Sequence, residues 1–184
     1  MRKELLLMLC VAPSAGQGAA APPAAPDAIV ACDAKALIAD QDPKGLNVRA
    51  GPGAKQKVVA NLAGADWVVI TGSQGPWIRI SQASADDEVR DLEQTVFSGE
   101  GWVYGPLLGV DGVGGETPGT PLRAEPSNTA RVLVRMQPDD GGAVLQGCRA
   151  NWLLLQHRPL QSKKSLRGWA RSNEVCIATR STCS

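Results

Sequence analysis

The chain has 184 residues, a formal net charge of +1, 20 glycines, 13 prolines and a single histidine. So much Gly and Pro argues against long helices. One histidine, with no Cys-x-x-Cys pair, argues against a tetrahedral zinc site, and no metal or cofactor is expected. The charge is unevenly placed: residues 27–115 hold 7 Lys/Arg and 12 Asp/Glu, while residues 116–184 hold 10 Lys/Arg and 5 Asp/Glu. The basic half carries only Trp152 and Trp169 as aromatics, too few to stack bases beside its cations, so nucleic acid is not an expected partner.

In chain order, Arg2 and Lys3 precede an apolar run at 5–12 and small residues at 14–21. This is a secretory signal pattern, with cleavage expected after Gly16 or near 19–21. The apolar run falls short of the about 20 residues that span a bilayer. Cys10 follows Leu9 rather than a small residue, which disfavours a lipid anchor. Residues 22–31 read as an Ala/Pro-rich disordered linker. Residues 33–40 read as a helical turn or a leading strand. Short apolar runs then alternate with Gly/Pro turns, at 46–48, 58–62, 67–70, 77–80, 102–104, 132–134, 144–145 and 152–155. That pattern is all-β, as in a small barrel or sandwich. Residues 84–95 read as an acidic, solvated excursion between two strands, without the alternating acids and turn glycine of a calcium loop. Residues 109–119 contain five glycines and read as a flexible linker.

A motif recurs. Leu46-Asn47-Val48-Arg49-Ala50-Gly51-Pro52, Pro76-Trp77-Ile78 and Gly101-Trp102-Val103 return as Pro121-Leu122-Arg123-Ala124-Glu125-Pro126, Asn151-Trp152-Leu153 and Gly168-Trp169-Ala170. The offsets are 74 from Arg49 to Arg123, 75 from Trp77 to Trp152 and 67 from Trp102 to Trp169. Two copies of one small unit explain such spacing. Glu125 replaces Gly51, which predicts a remodelled first loop in the second copy.

The first copy, read through Leu46-Asn47-Val48-Arg49-Ala50-Gly51-Pro52-Gly53, the Trp-led strand and Gly-Trp-Val, resembles the bacterial SH3 (Src-homology-3-like) domain family. The match covers about 40–110 well and about 118–178 more loosely. The resemblance implies two small SH3-like β-barrels in tandem. The expected boundaries are signal peptide 1–21, linker 22–31, first domain 32–110, Gly-rich linker 111–118 and divergent second domain 119–184. It also implies a non-catalytic envelope protein, periplasmic or secreted, recognising a cell-wall glycopeptide or an envelope protein. Trp67 and Tyr104, then Trp77 and Trp102, are the expected ligand-facing aromatics. A structural or adaptor protein, its acidic and basic modules docking on each other or on a partner, is the second reading. A Cys148–His157 hydrolase pair is the third; it lacks a helix N-terminus to present a thiolate.

Removing the signal leaves Cys32, Cys148, Cys176 and Cys183, an even count that suggests two disulfides. Cys148 aligns with Ser73, before the Trp-led strand, and Cys176 lies on the closing strand. In a barrel of the implied kind these places are close, which favours Cys148–Cys176 with Cys32–Cys183. Cys32–Cys148 with Cys176–Cys183 is the rival pairing.

Overall fold

The computed structural model describes residues 28–63, 65–87, 92–113, 118–160, 162 and 164–177. The expected signal peptide, most of the following linker and Cys183 lie outside them. The chain is all-β, and three single-turn 3₁₀ segments are the only helical elements among the described residues. The strands are β1 (Val30–Ile38), β2 (Leu46–Arg49), β3 (Val58–Leu62), β4 (Trp67–Gln74), β5 (Trp77–Asp87), β6 (Leu92–Tyr104), β7 (Leu108–Gly112), β8 (Thr120–Arg123), β9 (Val132–Met136), β10 (Ala143–Arg149), β11 (Trp152–His157), β12 (Leu166–Arg171) and β13 (Val175–Cys176). The leading segment at 33–40 is therefore strand rather than helix through Ile38. Residues 84–87 and 92–95 are not an excursion: they prolong β5 and β6 into one long hairpin.

All strand pairings are antiparallel and run along one open path, β3-β2-β6-β5-β4-β1-β7-β10-β11-β12-β8-β9, with β13 on β7. Reading inward from either end gives the same five-strand order. The registers agree as well. Arg49 lies opposite Trp102 in the first half, and Arg123 opposite Trp169 in the second. Trp77 opens β5 opposite Tyr104, and Trp152 opens β11 opposite Arg171. Both halves carry a bulge before the motif arginine, between Val48 and Arg49 and between Leu122 and Arg123.

The glycine before the second motif tryptophan has a steric reason in both halves. A β-carbon on Gly101 would overlap Val48 Cγ1, and one on Gly168 would stand 3.0 Å from Leu122 Cβ. Gly51 has no such need. Its φ is not in the left-handed region, so Glu125 takes the equivalent place without strain and the expected remodelling is not required.

The Gly-rich linker reading is corrected between 109 and 112, where the chain is strand β7. Leu108 and Gly109 pair with β1, Gly109 and Val110 with β10, and Asp111 and Gly112 with β13. One strand thus closes the first half and leads the second. The core is continuous across it: Ile70, Ile78 and Ile80 join Leu108, Leu145 and Leu155 in one buried cluster. Each such side chain contributes about 1.5–3 kcal/mol by leaving water.

The halves are also joined covalently. Cys32 on β1 is bonded to Cys148 on β10, with Cα atoms 5.9 Å apart. The favoured Cys148–Cys176 pairing is therefore overturned. The reason is that Cys148 faces the leading strand of the other half, not the closing strand of its own. Cys176 is also disulfide-bonded, to a partner outside the described residues. Between the halves, the Ser73 hydroxyl accepts from Cys148 N–H at 3.2 Å and donates to Cys148 C=O at 3.1 Å.

Two outcomes are expected. Calorimetry of the purified chain should show one unfolding transition, because core and β7 are shared. Replacing both Cys32 and Cys148 by serine should lower stability by about 5 kcal/mol, the loop-closure value for a span of this length, while keeping one transition. Two separated transitions would contradict the shared core. Gly101→Ala should cost about 1–3 kcal/mol, and more than Gly168→Ala, in urea titrations.

Candidate functional site

Gly75-Pro76 turns the chain so that Trp77 opens β5 directly opposite Tyr104 on β6. Residues directly opposite on antiparallel strands share a face. The two rings lie 5.5 Å apart at 56°, a tilted aromatic pair. Tyr104 is 41% exposed and Trp77 half-buried. They form one wall of a cleft of about 700 Å³. Arg49 and Leu46 come from β2, Leu107 from the 3₁₀ turn after β6, and Asp40 and Asp42 from the β1–β2 loop.

The acids are held in place. Asp40 Oδ1 accepts from Asp42 N–H at 3.1 Å, and Asp42 Oδ1 accepts from Lys44 N–H at 2.9 Å. Each keeps its second carboxylate oxygen for the cleft side or solvent. Arg49, on the cleft wall, donates from Nη1 to Gln56 C=O at 2.8 Å.

Of the four expected aromatics, the structure brings Trp77 and Tyr104 together in this cleft. Trp102 is buried at 4% exposure, beside Arg49 and Arg79 in register. Trp67, expected to be the most ligand-facing, is 6% exposed, with Lys35 Nζ 4.0 Å above its ring. Sequence reasoning missed Asp40, Asp42 and Leu107, which no motif marks. It could have found the contrast between Tyr104 and Arg171, which both lie two residues after the second motif tryptophan.

The same place in the second half is filled. Trp152 is 7% exposed and has two guanidinium groups against its ring, Arg171 Cζ at 5.2 Å and Arg123 Cζ at 5.5 Å. Arg123 forms a two-pronged ion pair with Glu174, at 2.6 and 3.1 Å, and Glu174 stands where Leu107 stands in the first half. Arg171 Nε donates to Asn128 Oδ1 at 2.7 Å. Such charge-assisted, geometrically matched contacts hold long side chains in place.

The Cys148–His157 pair does not form. Cys148 is bonded to Cys32, and His157 sits at the other end of the β10–β11 hairpin. His157 is fully buried, and its Nδ1 lies 2.8 Å from Gly142 C=O. A carbonyl only accepts, so Nδ1 carries the hydrogen. No group of three or more His, Cys, Asp or Glu suited to a metal occurs among the described residues.

A second hollow, of about 520 Å³, lies where β1, β7 and β10 meet, with Ile38, Gly109 and Val144 on its walls and Asp111 at its edge. Burial raises the Asp111 carboxyl above its ordinary value of 3.8. The folded state then holds this proton where the unfolded chain has lost it, so the group subtracts stability as pH rises above 3.8. Asp111→Asn should remove that loss, leaving the variant more stable than the parent at pH 7 and equal to it at pH 3. Thermal melts across pH 3–7 check this.

No family model matches the chain, and no curated protein or solved structure is significantly similar to it. No helix among the described residues is long and apolar enough to cross a membrane.

Proposed function

We propose that this is a non-catalytic, exported binding protein of the cell envelope, built from two SH3-like copies, whose first copy recognises a cell-wall glycopeptide or an envelope protein through the Trp77–Tyr104 cleft. The observation that carries this reading is the contrast between equivalent places. One is an open, aromatic, partly exposed cleft, and the other is stoppered by its own Arg123–Glu174 pair. An exposed aromatic beside a few placed polar groups is the usual make-up of a recognition site. Export is supported by the Cys32–Cys148 bond, since such bonds persist in oxidising compartments. The two-copy part of the reading is supported by the matching strand order and register of the two halves.

A structural role is the second reading, favoured by the continuous core and the covalent join between the acidic and basic halves. Co-sedimentation with purified peptidoglycan, and capture from envelope extract at low and high salt, separate the two. The binding reading expects the chain to pellet or capture a partner without releasing soluble fragments, and Tyr104→Ala to reduce this about tenfold. Tyr104 is exposed, so its loss should leave the melting temperature nearly unchanged. No retention by either material supports the structural reading.

A further inference from the structure

The second half shows what a tryptophan at this place accepts. Trp152 carries a guanidinium on its face: Arg123, whose charge is met by Glu174. The first half has the same tryptophan, Trp77, and the same arginine, Arg49. There, however, the guanidinium is drawn away to Gln56 C=O, and Leu107 takes the place of the acid. Among the described residues no cation lies over Trp77. The acid is supplied from elsewhere, by Asp40 and Asp42 on the cleft rim. The half containing the cleft also carries the excess of acids, 12 Asp/Glu against 7 Lys/Arg over residues 27–115.

We propose that the cleft takes an arginine side chain of a peptide partner, seated on Trp77 as Arg123 is seated on Trp152, with Asp40 and Asp42 meeting its charge. This rests on the reading of the cleft as a binding site and adds the chemistry of its ligand. A planar, weakly hydrated guanidinium stacks on an indole and forks onto a carboxylate, which a lysine ammonium does less well.

The test uses the full chain and three acetylated, amidated peptides, Gly-Gly-Xaa-Gly-Gly with arginine, lysine or citrulline at the centre. Citrulline keeps the shape of arginine and removes its charge. Calorimetric titration should give the arginine peptide about tenfold tighter binding than the citrulline peptide, and a clear preference over lysine. Asp40→Asn with Asp42→Asn should abolish that preference, because asparagine keeps the Oδ1 acceptor of each turn and loses only the charge. Arg171→Ala, in the second half, should leave it intact.

Equal affinity for arginine and citrulline, or for arginine and lysine, overturns the proposal. So does a preference that survives the double asparagine variant. Concentration-dependent self-association of the chain, abolished by the double asparagine variant, would make the occupant a second copy of this chain and overturn it too. If peptidoglycan or extract binding persists and depends on Tyr104 while the arginine peptide fails, the ligand chemistry is wrong and the site stands. If Tyr104→Ala alters neither, the site itself is wrong.

Discussion

Strand β7 has three neighbours along five residues, and the rest of the fold is arranged around that sharing. Its first residues continue the sheet of the first half through β1; its middle starts the second half through β10; its end receives β13. A strand pressed from several sides has little room for side chains. A β-carbon on Gly109 would lie 3.2 Å from Ala143 C=O, and one on Gly112 would lie 2.6 Å from Met136 C=O. The glycines that look like linker composition are there because neighbouring backbone leaves no space. Since β7 belongs to both halves, neither buries its core alone. Units of 60–80 residues are marginal by themselves, and a common core relieves that limit.

The repeat was legible because it is written in residues that cannot be exchanged cheaply. Arg49 with Arg123, Trp77 with Trp152 and Trp102 with Trp169 reach the same register positions, and spacing alone exposed them. The all-β class was legible from run lengths. What sequence could not show lies where the copies meet. Spacing within one copy says nothing about the other, so it favours pairing Cys148 inside its own half over the rival Cys32–Cys148 bond that forms, and it makes linker of residues 109–112. Trp67 differs from expectation for another reason: with Gly142 as its counterpart in the second copy it reads as a ligand contact, but it is buried, with Lys35 of a neighbouring strand over its ring. Two of the residues that line the cleft, Trp77 and Tyr104, were among the aromatics expected from the sequence. Asp40 and Asp42 were not foreseen, because loop acids carry no periodicity.

The two halves share architecture and differ in what they leave open. In the first, the aromatic Tyr104 stands beside Trp77 and the acid position is Leu107. In the second, Arg171 and Glu174 occupy those places, so arginine, tryptophan, arginine and carboxylate satisfy one another. A buried or half-buried ion pair holds together best when its hydrogen bonds are complete. Here Glu174 meets Arg123 with both oxygens, and Asn128 takes the Arg171 donor. The stack fills, in the second half, the place that is an open cleft in the first.

Both hairpin ends turn through a residue of positive φ. Gly75, in the turn leading into Trp77, has φ +54°, and a β-carbon there would meet nothing within 4 Å. Its counterpart is Ala150 with φ 49°, a left-handed conformation that costs a non-glycine residue about 1–2 kcal/mol. Two hydrogen bonds to β1 hold it there: Ala150 N–H donates to Ala31 C=O, and Asp33 N–H to Ala150 C=O, both at 2.8 Å. At about 1 kcal/mol each, they roughly offset the strain. Two residues away, the Cys32–Cys148 bond and the Ser73 hydroxyl secure the same hairpin to the first half. Both hairpin ends take part in joining the halves, Ser73 from the β4–β5 hairpin and Cys148 from the β10–β11 hairpin. The asymmetry of the candidate site therefore rests on the side chains within each copy, Tyr104 and Leu107 in the first against Arg171 and Glu174 in the second.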